Sequence, residues 1–374
     1  MQVLNIYRTY FPDPPGGLQE AIRQICLSTT NQGISNTIFT LSPTPNPVEL
    51  ERPEADVVRS RSWAAPASCD IGGKAAFSMF SKLANESDGL HYFFPWPFAD
   101  ILNITVRPDK PAVLTYISDV VRQKLLGSVY APLMWKTLKG MDIIVANCPA
   151  YAETSPVLSH PSIRSKVRII PLGIDEASYP TSGDNRVFNR LNLNATEPYF
   201  LFVGVLRYYK GLHTLIQAAK KTNVKIVIAG SGLEGNKLKK LVADLGVNNV
   251  VFAGQVTNEE KRSLLTNCIA LVLPSHLRSE AYGMVLVEAA MMGKPMISCE
   301  IGTGTSFVNE HENTGLVISP ESPEQLSNAM QTLLEEGSLT AIMGVNARKR
   351  YEELFSGHAL GEAYASIYRE LLSR

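Results

Sequence analysis

Residues 199–211 read YFLFVGVLRYYKG, an apolar run followed by a glycine-bounded loop that carries two cations. The apolar run predicts a strand buried on both faces, and residues 211–222 predict the helix that follows it. The same alternation recurs along the chain, so the expected fold class is α/β, with mostly parallel sheets covered by helices. The predicted strands are 3–7, 37–41, 89–94, 112–117 and 142–146 in the first half and 199–204, 225–229, 249–252, 269–273 and 295–298 in the second.

The length of the chain predicts two domains, because 374 residues exceed what one core of ordinary size holds. A polar stretch after the phrase Ile170-Pro171-Leu172-Gly173-Ile174-Asp175 marks the boundary. We expect an N-terminal domain over 1–172, a C-terminal domain over 173–357, and a last helix, 358–374, that crosses back to the first domain. Two α/β sheets in succession imply a cleft, with a ligand at the carboxyl ends of the strands.

Composition argues against several classes of function. Lys+Arg and Asp+Glu are both 35, so the charge balance gives no reason to expect nucleic acid as a partner. The five cysteines form no CxxC pair and no cluster with histidines, which argues against disulfides or a structural zinc and favours a reducing compartment. The first residues do not resemble a signal peptide, and no apolar run reaches the roughly 18 residues of a membrane span. We expect a cytoplasmic protein, free or peripheral on the inner face of the cytoplasmic membrane.

The loop after the first predicted strand contains Gly16-Gly17, directly before a helical pattern from Leu18 to about Gln32. Exposed backbone N–H groups and the positive end of a helix dipole meet there, which suits a phosphate or sugar oxygen. A tight turn with no ligand is an equal alternative. The chain has neither the GxGxxG fingerprint nor the GxxxxGK[ST] loop, which counts against a dehydrogenase and a P-loop ATPase.

Two further loops carry charged side chains at the ends of predicted strands. Arg207 and Lys210 follow the strand 199–204, and a fixed pair of cations there suits a pyrophosphate. Glu280 precedes the helix start at Gly283, and Glu288 lies on that helix, so the two acids could hold hydroxyl groups on either side of an anion. The alternatives are a loop with two solvated cations and two solvated acids beside a helix N-terminus.

Taken in order, these motifs resemble the retaining glycosyltransferases of family 4. That family has the GT-B fold, in which two Rossmann-like domains with parallel sheets face each other across an interdomain cleft. Its E-x7-E signature is matched by Glu280 and Glu288, its Gly-x-Leu-x-x-x-Lys-Gly loop by 204–211, and its N-terminal glycine loop by Gly16-Gly17. The phrases at 7–13 and 300–309 are most similar to bacterial polysaccharide and O-antigen mannosyltransferases.

The resemblance implies a role for individual residues. Arg207 and Lys210 would neutralise the leaving pyrophosphate, Glu280 would hold the donor sugar, and Glu288 would hold the ribose. The remaining donor contacts would come from Gly16, Gly17, Val256, Tyr282, Gly283 and Met284. The resemblance implies neither a metal, nor another cofactor, nor a protein nucleophile, because the two cations would stabilise the leaving phosphate.

The resemblance also implies the substrates. The donor would be GDP-mannose, and the acceptor a glycan or lipid-linked glycan in the synthesis of a bacterial surface polysaccharide or O-antigen. GDP-rhamnose or a UDP-hexose is the alternative donor, since the motifs recognise diphosphate and hydroxyls rather than the base. A non-catalytic GT-B protein that binds a sugar nucleotide or glycan is the alternative from another class.

The chain departs from the family pattern in its first half. Where the family has His-x-His, this chain reads His91-Tyr92-Phe93, and where it has His-Ser-Asp, this chain reads Ile117-Ser118-Asp119. His91 alone fits a packing role in its strand better than a catalytic one. Asp119 is then the better candidate for a catalytic contact with the donor sugar or acceptor.

Two stretches mix basic with large apolar residues and predict a contact with anionic membrane. The first runs from Arg59 to Lys82 and includes Trp63, and the second is 122–139. Basic amphipathic surfaces of this composition can lie on anionic lipid. Helices that pack on their own sheet, with solvated lysines, are an equal alternative.

Overall fold

A computed structural model of the chain describes residues 1–13, 16–66, 69–118, 124–194 and 196–373. The chain divides into two units, one formed by Met1–Asp175 together with Gly357–Arg374 and the other by Glu176–Ser356. The division after Asp175 lies three residues beyond the predicted boundary at 172/173, and the return at Gly357 lies one residue before the predicted 358.

The first unit is built on a sheet whose strands are β1 (Gln2–Ile6), β2 (Ser35–Ser42), β3 (Glu49–Arg52), β4 (Ala55–Ala64), β5 (Ile71–Gly72), β6 (Gly89–Phe94), β7 (Ala112–Tyr116), β8 (Ile143–Ala146) and β9 (Val167–Ile169). The strand order is β3-β4-β2-β1-β6-β7-β8-β9, with β5 paired to β4. The strands from β4 to β9 along this order run parallel, while β3 and β5 pair with β4 in the antiparallel sense.

The second unit has a fully parallel sheet with the strands β10 (Tyr199–Val203), β11 (Lys225–Ala229), β12 (Val250–Gly254), β13 (Leu271–Leu273), β14 (Met296–Cys299) and β15 (Gly315–Ile318). Their order is β12-β11-β10-β13-β14-β15. This is the doubly wound order of Rossmann-like folds, in which the chain reverses direction across the sheet between the first and fourth strands.

Helices connect these strands. Those of the first unit are α1 (Gly17–Thr30), α2 (Lys74–Glu86), α3 (Pro97–Val106), α4 (Lys124–Gly140) and α5 (Pro149–Thr154). Those of the second unit are α6 (Arg186–Arg190), α7 (Leu212–Ala219), α8 (Gly235–Leu245), α9 (Asn258–Asn267), α10 (Met284–Met291), α11 (Thr305–Val308), α12 (Pro323–Glu335) and α13 (Gly337–Arg350). The last helix, α14 (Gly357–Leu372), belongs to the first unit.

Each strand predicted from an apolar run is present, with bounds that differ by two residues or fewer. The prediction failed for strands with a different pattern. The antiparallel pair β3 and β4 carries charged side chains along much of its length, so no apolar run announces it. Arg59 lies on β4 and is only 3% exposed, with its guanidinium donating to the carbonyl of Pro47. The prediction that Arg59 belongs to a basic surface is therefore wrong.

The last helix packs against α1 through a close backbone approach at Gly361. A Cβ built on Gly361 would lie 2.3 Å from the carbonyl oxygen of Ser28 in α1. Two tyrosines of α14 also reach the core of the first sheet, where the Tyr364 hydroxyl lies 2.9 Å from Thr115 Oγ1 and the Tyr368 hydroxyl lies 2.7 Å from His91 Nδ1. A close helix contact and a buried polar network thus hold α14 in place.

We predict that Gly361→Ala destabilises the first unit by about 1–3 kcal/mol, because the added methyl group meets a backbone carbonyl that cannot move aside. Urea unfolding with amide exchange of α1 and α14 measures the change. Gly140→Ala is the matched control, since nothing lies within 4 Å of a Cβ built there. Equal stability of the two variants would contradict the close packing of α14 on α1.

Candidate donor site in the second unit

The loops after β10 and β13 lie side by side at the carboxyl edge of the second sheet. Gly211 has a φ of +69°, and a Cβ built on it would lie 1.9 Å from the carbonyl oxygen of Pro274. The backbone N–H of His276 donates to the carbonyl of Tyr209 at 3.0 Å. Only glycine fits at position 211, so this residue permits the two charged loops to meet.

Lys210 and Glu280 form an ion pair across these two loops. The Lys210 ammonium donates to Glu280 Oε2, and the Ser275 hydroxyl donates to the same oxygen at 3.1 Å. The side chains of Lys210 and Glu280 are 12% and 11% exposed. Burial by itself would lower the pKa of Lys210, but the adjacent carboxylate of Glu280 outweighs it and the pKa is raised. Lys210 is therefore a fixed positive charge at neutral pH.

The loop that carries Glu280 leads into the N-terminus of α10. The Thr303 hydroxyl donates to the backbone carbonyl of Glu280 at 2.8 Å, which fixes the loop. Gly283 has a φ of +83° and caps α10 without a side-chain hydrogen bond. The first N–H groups of α10, from Met284 onwards, thus point out of the helix end, where an anion is favoured.

Glu288 lies on the second turn of α10 and pairs with a residue that the sequence did not single out. Lys261 Nζ of α9 lies 2.6 Å from Glu288 Oε1, and the two side chains are 16% and 15% exposed. The same ammonium lies 5.1 Å from the centre of the Tyr179 ring. One oxygen of Glu288 is thus engaged by a neighbouring cation, and the second oxygen can accept further hydrogen bonds.

The other predicted donor residues of the second unit lie on the loops around this pair. Arg207 is exposed, and within the described residues its guanidinium meets no carboxylate. Val256 is half-buried in the loop after β12, and the carbonyl of Gly254, the last residue of β12, accepts a hydrogen bond from Gly230 N at 2.7 Å. Tyr282 is 4% exposed, with its ring against Gly304. Tyr282 therefore supports the loop through its ring, so any donor contact there would involve its backbone.

The predicted site residues of the first unit are placed separately. Gly16 and Gly17 are exposed at the N-terminus of α1, and Gly16 caps that helix without a side-chain hydrogen bond. Asp119 lies outside the described residues. His91 is fully buried between Thr115 and Tyr368, and burial lowers its pKa to about 3. It is a neutral packing residue of the core.

Residues 184–350 match the family of glycosyl transferases, group 1. The chain is 43% identical over 357 residues to D-rhamnosyltransferase WbpZ of Pseudomonas aeruginosa, an alignment that covers 95% of this chain and 92% of that protein. The chain belongs to the group 1 glycosyl transferases. It is also 37% identical over 372 residues to O-antigen chain mannosyltransferase C of Escherichia coli, covering 100% of this chain and 99% of that protein.

The glycosyltransferase also resembles sucrose-phosphate synthase from Thermosynechococcus elongatus, with a TM-score of 0.80 at 23% identity over 100% of this chain and 99% of that chain. At this identity the likeness shows the fold, and it confirms the predicted GT-B class with parallel α/β sheets. The relatives confirm that the chain is an enzyme of the glycosyltransferase class. Its substrates are accordingly a nucleotide-sugar donor and a glycan acceptor.

Two residues of the candidate donor site were missed by sequence reasoning. Lys261 lies on a polar helix among other charged residues, and Ser275 is a small residue in a loop, so neither has a pattern of its own. Their contacts with Glu288 and Glu280 form only in the folded sheet, where the loops and helices after different strands become neighbours.

We predict that Lys210→Met lowers the free energy of unfolding of the second unit by about 3 kcal/mol, since it leaves the Glu280 carboxylate buried without its cation. Urea unfolding of Lys210→Met, Glu280→Gln and the double variant measures this. The double variant should lose about 1–3 kcal/mol less than the sum of the two single variants. Strict additivity would mean that the pair contributes nothing to folding.

Proposed function

We propose that the glycosyltransferase transfers mannose from GDP-mannose, with retention of the anomeric configuration, to a glycan or lipid-linked glycan of a bacterial surface polysaccharide or O-antigen. The observation that carries the proposal is the Lys210–Glu280 pair, buried between two loops beside the free N-terminus of α10. The name of the O-antigen mannosyltransferase relative, 37% identical over the whole chain, supports the sugar and the pathway.

In the proposed complex, a diphosphate binds between three positive groups. Lys210 and the exposed Arg207 lie on one loop, and the N-terminus of α10 follows the other. Arg207 can bind two phosphate oxygens at once, whereas Lys210 acts as a point charge. When the glycosidic bond to phosphate breaks, negative charge grows on the leaving diphosphate, and groups already held in place stabilise it without reorganising.

Glu280 and Glu288 provide acceptors for hydroxyl groups on either side of the diphosphate. Each carboxylate already pairs with a lysine, which orients it, and it can still accept hydrogen bonds from sugar or ribose hydroxyls. In the proposed reaction the acceptor hydroxyl attacks from the face that the phosphate leaves. The leaving phosphate takes the proton, and neither a metal nor a protein nucleophile takes part in the transfer.

GDP-D-rhamnose is the second candidate donor. The relative with 43% identity is named a D-rhamnosyltransferase, and D-rhamnose is D-mannose that lacks the hydroxyl at C6. The two sugars therefore present the same hydroxyls at C2, C3 and C4. A site that binds the C6 hydroxyl rejects the deoxy sugar strongly, whereas a site that leaves C6 against apolar groups discriminates little. A UDP-hexose is the third candidate, because the groups that bind phosphate do not distinguish guanine from uracil.

We predict that GDP-mannose is turned over faster than GDP-D-rhamnose and UDP-glucose when all three are supplied with the same acceptor extract. Arg207→Ala should lower kcat/KM for GDP-mannose by about tenfold to a hundredfold through the loss of a charge-assisted contact. Lys237→Ala is the control, since Lys237 is 75% exposed and pairs with Glu234 of its own helix end. Proton NMR of the product reports the anomeric configuration.

If GDP-D-rhamnose were turned over faster than GDP-mannose, GDP-D-rhamnose would be the proposed donor. Unchanged turnover by Arg207→Ala would remove this arginine from the donor site. Binding without turnover or donor hydrolysis would favour a non-catalytic role.

We also propose that the first unit contacts anionic membrane. Among the described residues, no helix combines the length and the apolar character needed to cross a bilayer. Trp63 is 71% exposed at the end of β4, and its ring lies over Gly73 beside the exposed Lys74. An exposed indole next to cations suits the interface of a bilayer with anionic headgroups. In the second stretch, Arg122 lies outside the described residues.

We expect the protein to sediment with vesicles that contain anionic phosphatidylglycerol at low salt and to be released as salt screens the cations. Trp63→Ala should reduce the bound fraction severalfold. Val345→Ala, which removes an apolar side chain that is 69% exposed in the second unit, should leave it unchanged. Equal sedimentation of both variants would show that Trp63 takes no part in binding.

A further inference from the structure

Three potential metal ligands meet in the second unit, far apart in sequence. His213 lies on the first turn of α7, His276 lies in the loop after β13, and Glu321 lies in the loop before α12. Their ligand atoms all lie within 4.8 Å of one another, and His213 Nε2 is 3.9 Å from Glu321 Oε1. The three residues form no short spacing motif such as CxxC or HxxxH, because each follows a different strand of the sheet.

We propose that His213, His276 and Glu321 bind one Zn²⁺ ion, which joins the two loops that carry Lys210 and Glu280. Two imidazoles and one carboxylate form a ligand set that suits zinc, with a water molecule in the fourth position. The site is separate from the transfer chemistry, in which no metal takes part.

The geometry of the two rings fits a shared ion. The ring centres of His213 and His276 are 5.1 Å apart, and the rings are inclined at 88°. Imidazole nitrogens at about 2.0–2.1 Å from a tetrahedral zinc place the ring centres about 5 Å apart. Ligand atoms around a tetrahedral zinc lie about 3.3 Å from one another. The three ligand atoms here, which lie within 4.8 Å of one another, must therefore draw closer, and Glu321 can move because its side chain is 61% exposed.

His276 is the ligand that needs a partner most. It is 7% exposed, and neither ring nitrogen has a hydrogen-bond partner among the described residues. Burial of an unsatisfied polar group is unfavourable, and a metal ion would satisfy one nitrogen directly.

Tyr208 holds the two imidazoles in position. Its ring stacks on His213 with centres 5.5 Å apart and planes inclined at 8°, and it meets the edge of His276 at 4.9 Å. Packing of this kind restricts the ring orientations before an ion binds, which favours binding. His213 follows Lys210 by three residues and His276 precedes Glu280 by four, so the ion would cross-link the two loops of the donor site.

The test is a titration of the chelator-treated full chain with Co²⁺, whose visible absorption reports tetrahedral binding, and with Zn²⁺ followed by thermal melting. We expect one Co²⁺ per chain, displaced by Zn²⁺, and a rise in Tm with Zn²⁺. His213→Ala, His276→Ala and Glu321→Gln should each weaken binding at least tenfold. His311→Ala and His358→Ala, which change exposed histidines outside the cluster, should leave it unchanged.

Glu321→Gln should fold even if a histidine variant does not, because Glu321 is on the surface. This variant therefore tests the site by itself. Absence of the Co²⁺ absorption in the wild type at stoichiometric concentrations would overturn the proposal. Binding of equal strength in wild type and Glu321→Gln would also overturn it, because the ion would then lie elsewhere. No sugar nucleotide enters the titration, so its outcome is independent of the proposed donor.

Discussion

Parallel pairing of β10 with β13 is the constraint on which the second unit depends. Parallel strands bring all their carboxyl ends to one edge of the sheet, and here the chain reverses its direction across the sheet between these two neighbours. The connections from β10 and β13 therefore leave in opposite directions and open a space between them. Into that space project the loop with Arg207 and Lys210 and the loop with Glu280, so the chemistry follows from the strand order.

The burial of charged groups at this edge of the sheet also affects the stability of the second unit. A lysine and a glutamate at this edge are shielded from water and depend on each other, since either charge alone would be unfavourable where it lies. The pair is thus part of what keeps the loops folded. A substitution at Lys210 or Glu280 is therefore expected to change stability as well as any role in the proposed donor site, whereas Arg207 is exposed and its substitution is expected to leave the fold intact.

Sequence reasoning reached the strands that are buried on both faces, because an apolar run is a local signal. It also singled out Arg207, Lys210 and Glu280 in loops after such strands, and Glu288 on the helix that follows. Their roles in donor binding stay predictions. The antiparallel pair β3 and β4 escaped it, since charged and half-exposed residues interrupt the apolar pattern there.

Contacts between side chains on different loops and helices could not be predicted from the sequence. Lys261 meets Glu288, and His213 meets His276, only through the register of several strands and helices. The expectation of no structural zinc was drawn from the spacing of the cysteines along the chain, and such spacing carries no information about residues that meet only in the folded structure.

The discontinuity of the first unit gives the order in which the protein can be completed during synthesis. Its last helix is encoded after the whole of the second unit, so α1 has no partner at Gly361 until the ribosome has added Gly357–Leu372. At about 5–20 residues per second, the intervening segment takes on the order of 10–40 s to emerge. The second unit, continuous in the chain, can finish folding first, while the face of α1 that contacts α14 stays uncovered until α14 has been synthesised.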